Sequence, residues 1–117
     1  MKKSDRRIAG YLDYLLEAIA RIEHYTQDVT DDTFRVDSLV QDAALRNLTV
    51  IGVAAHDLSR DHPDFVAAHA DVPWKDLSRN RNLPGSFHVD TDAVWQTIVR
   101  DLPVLKLQIE EIRREAP

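Results

Sequence analysis

The sequence predicts an all-α protein: an up-and-down bundle of three long helices with short connecting helices. Three observations point there. Three long segments repeat apolar residues three and four apart, no segment alternates with the strand period of two, and capping residues and prolines fall mostly between the periodic segments. At 117 residues the chain is read as one domain over 1–117, long enough to bury a single modest core.

The first long helix is expected from about Ser4, its N-cap, to Thr26. Its apolar stripe is Ile8, Tyr11, Leu12, Leu15, Ile19, Ile22 and Tyr25. Val29-Thr30-Asp31-Asp32 breaks the pattern, and Thr30 can cap a short turn carrying Phe34. The second long helix is expected from a Ser38 cap to about Leu58. Leu39, Ala43, Leu45, Leu48, Ile51, Ala54, Ala55 and Leu58 give it a wide apolar face and make it the most buried of the set. Gly52 inside it implies close packing against another helix, since glycine costs a helix about 1 kcal/mol relative to alanine. Pro63 starts a short helix through His69, and Pro73 another through about Leu83. Pro84-Gly85 forces a turn. Asp90-Thr91-Asp92 caps a final helix through about Glu115, with Val94, Ile98, Leu102, Leu105, Ile109 and Ile112 inward. Pro103 lies inside that helix and should kink it. The apolar faces are wider than a three-helix core needs, which suggests a homodimer.

Composition narrows the function. No apolar run approaches the roughly 18–20 residues that span a bilayer. The basic start Met1-Lys2-Lys3 leads into an amphipathic pattern, not a secretory signal, and there is no cysteine. A cytoplasmic protein without membrane association is expected. A net charge of −5 opposes wholesale nonspecific nucleic-acid binding but permits a local basic site.

Such a site lies in Trp74–Asp90, which gathers Lys75, Arg79 and Arg81, the amides Asn80 and Asn82, a tight turn and His88. Guanidinium groups suit bidentate phosphate contact, and imidazole suits proton transfer near neutral pH. The same cations are equally those of an ordinary solvated face. Trp74 and Trp95 read as core or dimer-interface anchors. His24, His56, His62 and His69 read as exposed or locally hydrogen-bonded, because none has the four-residue spacing of a helical metal pair. No metal and no cofactor is expected.

Ordered pieces along nearly the whole chain carry a family likeness: Tyr11 to Ile19, Ile22-Glu23-His24-Tyr25, Gln41 to Leu48, Ile51-Gly52, Val72-Pro73-Trp74, Arg79-Asn80-Arg81, Gly85, Phe87, Val89-Asp90 and Val94-Trp95. Together they resemble the HepT-like branch of the HEPN superfamily (domain of unknown function 86). The resemblance implies an all-helical homodimer with paired active sites at its interface. It also implies a toxin of a toxin–antitoxin system, acting as a metal-independent endoribonuclease. The implied partner is a MntA-type nucleotidyltransferase antitoxin, which adds AMP units to a tyrosine beside the active site.

The family motif is an arginine, four residues, a histidine, one residue and a tyrosine. Arg79 and Asn80 match its start, Pro84 stands at the histidine position and Ser86 at the tyrosine position. The family's Gly-Glu-Ala reads Gly52-Val53-Ala54. The resemblance therefore implies Arg79 and Asn80 as catalytic residues. His88 is a substitute acid or base at a looser spacing from Arg81, and Arg81, Lys75, Arg46 and Asn47 are substrate contacts. Arg46 and Asn47 alternatively buttress helix packing. Ser86 is either the modified residue or a plain turn serine. Metal-free RNA cleavage needs a base for the 2′-hydroxyl, an acid for the leaving oxygen and cations for the phosphorane, and proline supplies none of these. Two expectations follow: an endoribonuclease of diminished activity, or a catalytically inactive dimer that binds the nucleotidyltransferase or RNA.

Overall fold

Residues 7–82 and 90–116 are described by the structure, a computed structural model. Helix α1 (Ile8–Thr26) begins after the extended residue Arg7. The expected cap, Ser4, lies outside the described residues. Of the expected stripe, Tyr11, Leu12, Leu15, Ile19 and Ile22 are buried and Ile8 is half-buried, but Tyr25 is 40% exposed and Thr26 replaces it inside, with Ala18 also buried. The stripe steps by four from Ile22, and the Thr26 hydroxyl is satisfied by donating to the Ile22 carbonyl at 2.7 Å.

Helix α2 (Asp31–Val36) carries the capping box foreshadowed by Thr30, closed reciprocally with Thr33. Phe34 is buried and its ring lies 5.0 Å from that of Trp95. Helix α3 (Ser38–Asp61) is capped by Asp37, whose carboxylate accepts from the Val40 N–H at 3.2 Å; Ser38 is the first helical residue. Carboxylate and N–H are one residue earlier than expected because either side chain can cap. The helix also runs three residues past Leu58. Pro63 ends it, since the residue before a proline avoids the helical region and His62 sits at φ −135° and ψ 61°. Leu39 is 79% exposed, so the expected apolar face narrows at its first turn.

Short helices α4 (Pro63–Ala68) and α5 (Trp74–Arg79) follow, and a 3₁₀ turn at Asn80–Asn82 continues α5. The last rod comprises α6 (Thr91–Gln96), capped by Asp90, a π-helical turn at Thr97–Asp101, and α7 (Leu102–Glu115). The disturbance expected from Pro103 falls at the π turn just before it. The Leu102 N–H reaches back five residues to the Thr97 carbonyl, and this wider turn accommodates the backbone just before the proline ring. All six expected stripe residues, from Val94 to Ile112, are buried.

The direction of each rod follows from its contacts. Asp13 pairs with Arg113 and Glu23 with Lys106, so α7 runs antiparallel to α1. Tyr11 near the start of α1 donates to Asp61 at the end of α3, so α3 is antiparallel to α1 as well. The up-and-down order is kept by an ascending leg of short elements. The Asp71 carbonyl accepts from Gln108 midway along α7, and Asn80 lines a cleft with Thr97 and Asp101 earlier in the last rod. Helix α3 packs on α1, α2, α4, α5 and the 3₁₀ turn, the widest set of neighbours of any rod. Its 24 residues span about 36 Å and account for most of the 41 Å long axis. Among the described residues no helix is long and apolar enough to cross a membrane.

Candidate functional site

The ascending leg presents the basic segment. Trp74 anchors α5: its ring is buried and its Nε1 donates to the His69 carbonyl at 2.9 Å. With Trp74 and Leu77 turned inward, Lys75, Asp76 and Arg79 face outward. The 3₁₀ turn then lies directly on α3. A Cβ added to Gly52 would sit 2.2 Å from the Arg81 nitrogen and 2.6 Å from the Asn80 carbonyl carbon. Gly52 is therefore a close-approach glycine, and what approaches is the backbone of the basic segment.

Residues one and two turns beyond Gly52 share its face. These are His56, half-buried, and Ser59. Together with Lys75, Ser78, Arg79 and Arg81 they line one open groove of about 750 Å³. The cations in it are not equivalent. Arg79 has Asp76 as a partner at 2.8 Å, a pair more than two-thirds exposed on both sides and so weakly held. Arg81 is held by one N–H, donated from Nη1 to the Ser78 carbonyl at 2.7 Å. Among the described residues neither Arg81 nor Lys75 has a carboxylate within ion-pair distance. Besides the Asp76 carboxylate that faces Arg79, the groove thus holds, among the described residues, two cations outside ion-pair distance of a carboxylate, two serines and an imidazole, a combination suited to a phosphodiester.

Other expected site residues lie elsewhere. Asn80 lines a separate cleft of about 590 Å³ between the ascending leg and the last rod, beside Asp71, Asp76 and Asp101. Asn47 is buried and donates to the Ala43 carbonyl at 2.9 Å, the packing role that was the alternative for it. Arg46 lines a third groove, about 280 Å³ and largely apolar, with Tyr11, Tyr14, Val50, Val53 and Asp57. Val53 is 44% exposed there. Pro84, Ser86 and His88 lie outside the described residues. Both tryptophans belong to the core, Trp95 donating to Asp31 at 3.3 Å. His56 is the residue that sequence reasoning missed. Its signal was the four-residue step from Gly52, which transfers the glycine's packing face to the histidine.

Comparison with known proteins agrees with this architecture. A family model described as "Ribonuclease HepT-like" matches residues 15–112. The chain is 33% identical over 116 residues to a "Probable ribonuclease HepT" of Thermococcus cleftensis, covering 97% of this chain and all of that one. It is 35% identical over 107 residues to a "Gamma-glutamylcyclotransferase and putative RNase" of Methanocaldococcus jannaschii, covering 90% of this chain and 47% of that protein. No solved structure matches the chain.

Proposed function

The chain belongs to the HepT-like ribonuclease family, and from that premise we propose that it is an RNA-cleaving toxin whose substrate lies in the groove of Lys75, Arg79 and Arg81. The observation that carries this reading is that one groove of an acidic protein is lined by two cations, Arg81 and Lys75, with no carboxylate in ion-pair distance among the described residues. In such a groove they attract a phosphate backbone locally while the net charge of −5 suppresses binding elsewhere. Cleavage proceeds without a metal, by attack of the 2′-hydroxyl on the adjacent phosphorus. Arg81 and Lys75 offset the charge that builds on the phosphorane oxygens.

The working unit in this proposal is a homodimer. Arg46, Val50, Val53 and Asp57 form one stripe of α3 at steps of four, three and four residues. Two copies of α3 crossing antiparallel about an axis between Ile51 and Gly52 set Arg46 against Asp57 and Val50 against Val53, each contact made twice. That self-complementarity is what a two-fold interface requires. It also carries Arg46 of the second copy toward the His56 end of the groove, giving that arginine the role in substrate contact that it lacks within one chain. The partner is a MntA-type nucleotidyltransferase antitoxin acting on the same region, with Ser86 in place of the modified tyrosine.

Purified protein is expected to cut a mixed RNA in excess chelator and to leave 2′,3′-cyclic phosphate ends. A second reading rests on the resemblance: Pro84, Ser86 and Val53 stand where it implies a histidine, a tyrosine and a glutamate. On that reading the dimer binds the nucleotidyltransferase or RNA without turnover. Co-purification with the nucleotidyltransferase and no RNA loss would favour it over the nuclease.

A further inference from the structure

We infer that His56 supplies the imidazole of this groove, taking over the proton-transfer work for which the chain has no histidine at position 84. The inference rests on the RNA-cleaving reading above and names a residue for it. Three observations meet at His56. It shares one groove with Arg81 and Lys75, the cations left without carboxylate partners among the described residues. It is half-buried on a long helix, not carried on a connecting loop. It also stands one helical turn from Gly52, against which the backbone of Asn80 and Arg81 rests so closely that no side chain fits between. That contact fixes the backbone of Arg81 against the helix that carries His56. A general base and its electrostatic partner need this kind of rigid spacing, and a site mounted on a helix holds it better than one on a loop.

Chemically, the neutral His56 imidazole accepts the proton of the 2′-hydroxyl as that oxygen bonds to phosphorus. The bond from phosphorus to the 5′ oxygen breaks, and the leaving oxygen takes a proton from water. The hydroxide so formed is neutralised by the imidazolium. The net products are a 2′,3′-cyclic phosphate and a 5′-hydroxyl, with His56 returned to its starting state. Ser59, one turn further on the same face, donates its hydroxyl proton to the Ala55 carbonyl at 2.8 Å and keeps its oxygen lone pairs to accept from a sugar hydroxyl.

The test compares wild type, His56→Gln, His88→Gln and the exposed control His24→Gln, with RNA as substrate and excess chelator present. His56→Gln is expected to lower kcat by about 10²-fold or more, the usual cost of losing a general base. KM should stay within about threefold, because the phosphate contacts of Arg81 and Lys75 remain. An unchanged thermal transition separates this from unfolding. As a readout independent of turnover, an uncleavable all-deoxy oligonucleotide should shift the ring resonances of His56 and leave those of His24 in place. Full kcat in His56→Gln while wild type cleaves would overturn the assignment and leave the nuclease reading standing, the more so if His88→Gln abolishes cleavage. If wild type cleaves nothing, the nuclease reading fails and the proton-transfer role fails with it. A His56 shift on adding the oligonucleotide would then report a binding groove alone.

Discussion

Gly52 and Arg81 carry the account at the residue scale. The glycine was legible from the sequence, since its helix-propensity cost had to be offset by a close approach, but the sequence did not say what approached. The structure identifies the basic segment itself. Because the contact is with backbone atoms, a methyl group at position 52 cannot be accommodated by a side-chain rotation. Overpacking of this kind costs about 1–3 kcal/mol, against about 1 kcal/mol regained in helix propensity. Gly52→Ala is therefore expected to lower stability by up to about 2 kcal/mol in urea unfolding and to weaken RNA binding as Arg81 is displaced. A variant as stable as wild type with unchanged binding would remove the glycine from the account. The distinction between Arg79 and Arg81 was hidden in the sequence. Asp76 stands three residues before Arg79, a helical ion-pair spacing, yet only the fold tells which cation has no carboxylate in reach among the described residues.

Among elements, the helix interiors were read more securely than their ends. Every apolar residue of the last stripe is buried because periodicity over six positions leaves little freedom. The cap of α3 moved from Ser38 to Asp37 because neighbouring polar residues compete for the same N–H groups. Pro103 signalled a disturbance, and whether that becomes a kink or a π turn depends on packing that no local sequence rule contains. Helix α3 also closes on an ionic contact that was not anticipated. The Asp61 carboxylate, nearly buried, is held at about 2 by hydrogen bonds from Arg60 and then Tyr11. Its pKa is lowered on folding from an ordinary 3.8. Its contribution to stability is therefore complete above about pH 4 and is lost as pH falls through about 2. Wild-type urea midpoints should decline across that window more steeply than those of Asp61→Asn. Parallel curves for the two proteins would show that the contact between α1 and α3 does not depend on this charge.

The whole molecule is needed to explain why a basic groove and an apolar groove flank the same helix. Helix α3 turns its Gly52 and His56 side toward the ascending leg and its Arg46, Val50, Val53 and Asp57 side outward. In the proposed dimer the second side closes against its copy and brings the two basic grooves near the axis. Arg46→Asp and Asp57→Arg should each shift the sedimentation of the protein toward monomer, and the double exchange should restore the dimer, because the two charges meet only across the axis. A monomeric double variant, or dimeric single variants, would place the interface elsewhere. The bundle and the family were legible in the sequence because many weak signals kept their order along the chain. The site was legible only in part: it assembles residues 23 to 25 positions apart, from His56 to Arg81 and Arg79, and such pairings exist only once the ascending leg has folded onto α3.

The central claim, that RNA is bound and cut in the groove of Lys75 and Arg81, is tested most directly by the rate of RNA cleavage in excess chelator. Each charge-assisted phosphate contact contributes about 1.5–3 kcal/mol. The Lys75→Ala and Arg81→Ala double variant should thus lose about 10²-fold or more in kcat/KM, and Arg79→Ala markedly less. Cleavage by the double variant at the wild-type rate would contradict the account.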